Sequence, residues 1–466
     1  MLTRRTFLAA APLAALRANG TGVFVRVSPR DPRYLELSDG SPYIPVGLNL
    51  IAPPEHGPGG TPGLEVYQGW LDQLAANGGN YVRAWLSNGF WDVEHVRSGE
   101  YDEAKAKRIG ALLEMARARG IRVKMTMEHF RSIGGGPQAW ADKPLHNVAN
   151  GGTAESIADF FDGERSRTQF RKKIAWYASR FGDRSEIYGW ELWNEISAVR
   201  GGDYMAWTEA MLPELHRHFP RSLCLQSLGS FDRPQSRARY QRLATMPGND
   251  IAQVHRYLDL GANLEVCKGP VDILAADAVR ELLAFKPGKP VILAESGAVE
   301  PSHSAPSKLY PLDREGTLLH DILFAPFFAG AAGPGQIWHW DVYVAKNGLW
   351  HHFRRFREAI SGIDPREEAF TPSMLPHDRL RVYCLGGRRT TLCWCRDIRN
   401  DWRSELERGE QPEELSGLTV RYDGAAKRRK LAAYDPWTGK WSAIRASNGR
   451  IHLPPFRRSV VVRIET

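Results

Sequence analysis

Between Val25 and Ile363 short apolar runs alternate with longer segments in which apolar residues return every three or four positions. The short runs are "YIPVGLNL" from Tyr43, "NYVRAWL" from Asn80, "RVKMTME" from Arg122, "IYGWELWN" from Ile187, "SLCLQSL" from Ser222, "IAQVHRYL" from Ile251, "PVILAESG" from Pro290 and "GQIWHW" from Gly335. Helical segments follow most of them, such as "YDEAKAKRIGALLEMARARG" from Tyr101 and "DYMAWTEAMLPELHRHF" from Asp203. Strict alternation of this kind predicts an α/β fold, a (β/α)8 TIM barrel, which usually takes roughly 200 to 400 residues. A doubly wound open sheet would carry a glycine-rich phosphate turn after its first strand, and "GLNLIAPPEHGPGG" does not fit that pattern.

After Asp364 the pattern changes. "RLRVYCLG", "TTLCWCRD", "LTVRYD", "RKLAAYDPWTGKW" and "RSVVVRIE" are short strands separated by turn residues, without a helical run, and they predict a small antiparallel β-sandwich over 366–466. The lead-in "GVFVRVSPRDPRYLELSDGSPY" reads as a hairpin that plugs the bottom of a barrel spanning 19–365. The first residues, "MLTRRTFLAAAPLAALRANG", carry Arg4 and Arg5 before a short apolar run broken by Pro12, the pattern of a twin-arginine export signal over 1–18. That run is too short for a permanent membrane anchor, and no other stretch reaches about 18 uninterrupted apolar residues. The expectation is a periplasmic or extracellular protein with no membrane segment once the signal is removed, acting as a monomer.

Composition changes this picture little. The chain has 466 residues, 42% hydrophobic and 25% charged, enough apolar material for one large domain and a smaller one. Its 15 Trp, 15 Tyr and 18 Phe suit stacking on sugar rings as well as plain packing. Five cysteines show no paired metal-ligand spacing, and a domain this large needs no disulfide framework. Charge is unevenly spread: twenty Lys/Arg face thirteen Asp/Glu from Arg366 onward, seven of the net +9. Because those cations are interleaved with strand-like apolar residues, a nucleic-acid partner is not expected, and "KRRK" from Lys427 reads as a solvated turn or strand edge.

The candidate chemistry begins with "YGWELWNEIS", where Glu191 and Glu195 stand four positions apart. Alternation alone would let both face solvent from a half-exposed edge. In a barrel, however, polar residues at the C-terminal ends of strands face the active site. Glu195 ends the fourth strand and Glu295 ends the seventh, and two carboxyls about 5 to 5.5 Å apart are the pair a retaining glycosidase needs.

The joint order of "GGNYVRAW" with Arg83 and Trp85, "GWELWNE" with Asn194 and Glu195, "VHRY" with His255 and Tyr257, "KPVILAESG" with Glu295 and a tryptophan in "IWHW" resembles the clan A glycoside hydrolases, especially the family 5 cellulases and mannanases. The resemblance implies a retaining β-glycoside hydrolase acting on a β-linked poly- or oligosaccharide, without cofactor or metal. It makes Glu195 the general acid/base and Glu295 the nucleophile. Arg83 would hold the nucleophile ionised, Tyr257 would hydrogen-bond it, His255 would orient the site and Asn194 would reach the sugar 2-hydroxyl. Either Trp338 or Trp340, sharing one strand face, would form the floor under the sugar, and Trp85 and His129 would join the substrate contacts. Two departures stand out: Glu128 and His129 compete for one place after the third strand, and Trp193 is bulky where many cellulases have a small residue. The loop "HFRSIGGGPQAWADKPLHNVANGG" is expected to build subsites. Two alternatives remain at this level, a non-catalytic carbohydrate-binding barrel and a metal-dependent hydrolase using His129, His255, His339, His351 or His352.

Overall fold

The computed structural model describes residues 22–129, 144–182, 184–199, 201–422 and 430–465. The export-signal segment, most of the loop after His129 and residues 427–429 of the basic run lie outside them.

Seven of the eight apolar runs form strands. The lead-in folds as β1 (Val25–Val27), β2 (Leu35–Leu37) and β3 (Pro42–Tyr43), a three-stranded antiparallel sheet rather than a single hairpin. Barrel strands follow: β4 (Gly47–Asn49), β5 (Tyr81–Trp85), β6 (Arg122–Glu128), β7 (Ile187–Trp193), β8 (Leu223–Leu225), β9 (Ala252–Asp259) and β10 (Val291–Val299). Strands β4 to β8 pair in parallel in chain order, and β9 pairs in parallel with β10. No single closed sheet forms among the described residues. From β8 to β9 the link is an Asp250 N–H to Cys224 carbonyl bond and the Gln253 amide on the Gln226 carbonyl. On the other side the eighth run contributes only a bridge, Ile337 beside Ser296, while the Asn49 N–H reaches the Ile337 carbonyl at 3.0 Å. The reason is local. The run is preceded by "GPG", and Trp340 already opens a π-helical turn, Trp340–Ala345, so few residues are left to pair. Asn49 sutures this weak point, its side-chain amide donating to the carbonyls of Ala294, Gln336 and Ile337.

Helices cover the strands: α1 (Gly63–Ala76), α2 (Glu103–Ala118), α3 (Ile157–Asp162), α4 (Glu164–Phe181), α5 (Tyr204–His218), α6 (Ser236–Thr245), α7 (Val271–Ala284), α8 (Thr317–Phe328), α9 (His351–Ala359) and the short α10 (Pro365–Glu368). Helix α2 shows why they form. Asp102 caps its first turn by accepting from the N–H groups of Ala104 and Lys105, and Ala106, Ile109, Leu112, Leu113 and Ala116 make one buried stripe. Helix α8 is buried on every side, because the barrel lies on one flank and the C-terminal sheet on the other.

At the barrel bottom Val25, Tyr34, Leu35 and Tyr43 pack against Tyr81, Tyr188, Leu223, Ile251 and Ile292, residues at or beside the starts of strands, as a plug requires. After α10 comes a six-stranded antiparallel sheet in the order Thr371–Leu375, Leu380–Gly386, Thr390–Asp397, Ser459–Glu465, Lys430–Asp435 and Lys440–Ala443. Alternation divides its side chains: Tyr383, Leu385, Leu392, Trp394 and Val461 join the barrel's core. Val382, Cys384, Cys393, Cys395, Val460 and Val462 meet Leu415, Val420, Ile451 and Phe456 of two smaller sheets in a second core. All five cysteines are free and buried.

Candidate active site

The site is built on Arg83, fully buried in β5. A guanidinium in this position needs counter-charges, and β7 supplies the first: Glu191, also fully buried, accepts from Nε at 3.0 Å and Nη2 at 2.6 Å. The other Glu191 contacts are the Thr126 hydroxyl at 2.6 Å, Lys124 Nζ at 3.1 Å and the Gln253 amide at 2.8 Å. With so many donors its carboxyl is held far below the usual range despite burial, and burial lowers Lys124 to about 8. Glu191 is therefore the fixed counter-ion of Arg83, and neither a solvent-facing edge residue nor an open carboxylate. Arg83 then spends Nη1 on Glu295 Oε2 at 2.7 Å and Nη2 on the Asn194 side-chain oxygen at 2.5 Å.

Glu195 stands two residues beyond the end of β7, with φ 49° and ψ 50°. Left-handed backbone is costly for a residue with a Cβ, and here it turns the carboxyl out of the strand path. The Ser227 hydroxyl accepts from its N–H at 3.0 Å. Glu295 follows a register shift between Leu293 and Glu295, where β10 bulges against β9. Its Oε1 accepts from the Tyr257 hydroxyl at 2.7 Å. Between the two carboxyls stands His255, whose Nδ1 is 2.8 Å from Glu195 Oε1 and 3.2 Å from Glu295 Oε2. Polar atoms of the three lie within 4.8 Å of one another. Burial and the nearby Arg83 push the His255 pKa well below its ordinary value, so the imidazole is neutral.

The two carboxyls are tuned apart. Burial raises both, and at Glu195 the charge of Glu295 adds to it, carrying that group well above the carboxyl range. At Glu295 the rise from burial is opposed by Arg83 and by the Tyr257 hydrogen bond. The shared proton accordingly resides on Glu195, whose side chain is 13% exposed against 5% for Glu295.

An aromatic wall adjoins this pair. Trp85 stacks on His129 at 4.8 Å, touches Trp338 at the same centroid separation and lies 5.7 Å from the Arg83 guanidinium. Trp338 is half-buried, its N–H bonded to the Ser296 carbonyl at 2.8 Å. Trp340 does not share a strand face with it, since no strand forms there and a π-helical turn begins at Trp340, and the rings stand at 88°. His129 belongs to this wall, its Nδ1 2.6 Å from the Ser87 hydroxyl. Glu128 goes elsewhere, into a buried cluster with Lys173 and His146, while Lys173 also pairs with Glu94 at 2.9 Å. Trp193 packs among Phe160, Phe161 and Trp207, so its bulk does not bear on the carboxyl pair. Among the described residues the buried Asn194 side-chain nitrogen has no protein partner, and neither has His255 Nε2.

The five histidines considered for a metal do not converge. Among the described residues no group of three possible ligands contains more than one of them; the groups are Glu195–His255–Glu295, Glu94–Glu128–His146 and His216–Cys224–Asp250. His339 bonds Tyr310 instead, and His352 bonds the Glu315 carbonyl. Sequence reasoning missed Lys124, Thr126 and Gln253, whose signal was polar residues at alternate positions of otherwise apolar strands. It also missed His303, which sits 4.9 Å edge-on to Tyr257 and 3.1 Å from Asp259. His303 lies on a loop and carried no local signal.

No protein-family model matches the sequence, and no curated protein matches it. Among solved structures the chain is similar to a glycoside hydrolase with TM-score 0.62 and 14% identity, covering 95% of this chain and 96% of that one. It is also similar to a glycoside hydrolase family 5 protein from Bacteroides vulgatus ATCC 8482, with TM-score 0.60, 14% identity and coverage of 95% and 93%. A family 5 mannosidase from Rhizomucor miehei, solved with mannosyl-fructose, matches at TM-score 0.51 and 14% identity over 68% of this chain and 85% of that one. At these identities the likeness is one of fold, that of family 5 glycoside hydrolases.

Proposed function

We propose that this chain is a retaining β-glycoside hydrolase of the family 5 type, with Glu195 as general acid/base and Glu295 as nucleophile. The observation that carries the reading is the pair itself: two carboxyls with oxygens within 4.8 Å, joined by one imidazole, the first kept protonated and the second held by Arg83 and Tyr257. Glu295 attacks the anomeric carbon while Glu195 passes its proton to the leaving oxygen. The bond to the leaving sugar breaks and a glycosyl ester forms on Glu295. Glu195, now ionised, takes a proton from water, which attacks the same carbon from the opposite face of the ester, so the starting configuration returns. Asn194 and its open nitrogen serve the sugar hydroxyl next to that carbon. Trp338, with Trp85 behind it, is the floor under the ring, and His129 and His255 complete the contacts.

In this reading the strands close as a (β/α)8 barrel, with the eighth position held by Ile337 and the Asn49 suture. The substrate is a β-linked glycan, and the protein is a monomer exported by its twin-arginine leader to the periplasm or beyond. No helix among the described residues is long and apolar enough to cross a membrane.

The test is a screen of β-mannan, β-glucan, xylan and aryl β-glycosides. On whichever substrate turns over, Glu295→Gln should lose at least about 10³-fold in kcat with the fold retained, because the covalent step is gone. Early product followed by NMR should be the β anomer. Initial α product, or near wild-type turnover by Glu295→Gln, removes the assignment.

A further inference from the structure

On the flank of the barrel, sharing no residue with the carboxyl site, a groove of about 690 Å³ runs along α1. Glu65, Trp70, Gln73 and Asn77 line one side, a single stripe of the helix about 18 Å long at 1.5 Å per residue. Trp350 and His351, at the start of α9, line the other. Two of its wall positions are glycines facing open space, where a Cβ at Gly69 or Gly348 would meet nothing within 4 Å, so a long side chain placed there has room to occupy the groove.

The lining selects its occupant. Trp70 offers a half-buried indole, Trp350 is 6% exposed and closes the far wall, Gln73 and the edge of Asn77 offer amides, and Glu65 offers a carboxylate. The Asn77 nitrogen is already bonded to the Gln73 carbonyl, which leaves its oxygen to accept. Among the described residues no Lys or Arg lines the groove, so a polyanion such as nucleic acid or an acidic glycan finds a carboxylate and no cation there. A neutral ligand with an apolar ring face and hydroxyls matches the Trp70 indole and the amides beside it.

We propose that this groove is a second, non-catalytic binding site for a neutral β-linked glycan chain, a claim that rests on the carbohydrate reading of the carboxyl site. A polymer held along α1 stays at high effective concentration near the same molecule's carboxyl pair. Short substrates gain nothing from it.

The experiment compares wild type, Trp70→Ala and Gly69→Arg. Gly69→Arg fills the groove from an exposed helical position where glycine is a poor helix former, so it keeps the fold even if Trp70→Ala loosens it. Kinetics are measured on an aryl β-glycoside and on β-mannan, β-glucan and xylan, alongside native gels containing each polymer. Both variants should raise KM for the cleaved polymer about five- to ten-fold, lose gel retardation and leave aryl-glycoside kcat/KM unchanged. Polymer KM and retardation equal to wild type in Gly69→Arg overturn the proposal. If wild type cleaves nothing, the reading of Glu195 and Glu295 fails by itself. The gels then decide the groove: retardation by a polymer that Gly69→Arg abolishes supports it, and any other pattern overturns it.

Discussion

Glu195 and Glu295 are the same residue type a few ångströms apart, and their neighbours give them different protons. In the proposed mechanism kcat/KM falls at low pH as Glu295 takes up a proton and at high pH as Glu195 loses its own, so the profile is a bell. Glu195→Gln should abolish the alkaline limb. Tyr257→Phe deletes a bond that lowers the Glu295 pKa, so the acid limb should move upward and kcat should drop about 10- to 100-fold, the worth of a charge-assisted bond of roughly 1.5–3 kcal/mol. Stability follows the same proton. Above the ordinary carboxyl range, and up to its own raised value, folded Glu195 keeps a proton that the unfolded chain has released, so stability declines as pH rises through that window. Calorimetry of Glu195→Gln should therefore show a raised Tm at pH 7 and little change near pH 4. Glu191 is expected to behave in the opposite way. Glu191→Gln removes the counter-charge that Arg83 and Lys124 share in the interior, leaving Arg83 only Glu295, and should cost about 3–5 kcal/mol in denaturant melts. On a dinitrophenyl glycoside, azide should restore turnover to Glu195→Ala and not to Glu191→Ala.

At the scale of elements, the apolar runs "RVKMTME" and "IYGWELWN" predict β6 and β7 almost to the residue, because long buried runs leave no competing conformation. What they do not contain is the left-handed turn at Glu195 or the bulge before Glu295, the two departures from regular strand that aim the carboxyls. Those depend on neighbours, Ser227 for the first and the β9 partner for the second. "GQIWHW" reads as a strand by pattern and is not one, since glycine and proline before it and a π-helical turn after it leave a single bridge. The lead-in sheet acts at the opposite end from the chemistry. Leu35→Ala, at a side chain 1% exposed, should cost about 2–5 kcal/mol while kcat per folded molecule stays the same, which urea melts and active-site titration together can check.

Across the whole molecule the C-terminal sheet is bound to the barrel by buried charge as well as apolar contact. Arg396 reaches Asp321 of α8 at 2.8 Å, Arg381 and Tyr383 both reach Asp272 of α7, and the Ser459 hydroxyl lies 2.8 Å from His320. Arg396→Ala leaves Asp321 buried and unpaired and should cost about 3–5 kcal/mol, seen as a lower urea midpoint with kcat unchanged under native conditions. The basic balance of this region is thereby partly spent inside the molecule, on carboxylates contributed by the barrel.

Periodicity by itself determined the order of the first seven strands and their helices and the change to antiparallel strands after Asp364; it put Glu195 and Glu295 at strand ends, whereas Glu195 lies two residues past β7 and Glu295 stands mid-way along β10, which runs on to Val299. Element order and type are local properties, written in which residues repeat at two or at three to four positions. Only the tertiary structure decided the surroundings that set Glu191 apart from Glu195, Glu128 from His129, and Trp338 from Trp340. Each distinction turns on which partner a side chain meets across the barrel: Arg83 claims Glu191, Lys173 claims Glu128, and Trp85 receives Trp338. Charge and contact act through space, and residues more than a hundred positions apart, such as Arg83 and Glu295, become neighbours only when the strands that carry them are assembled.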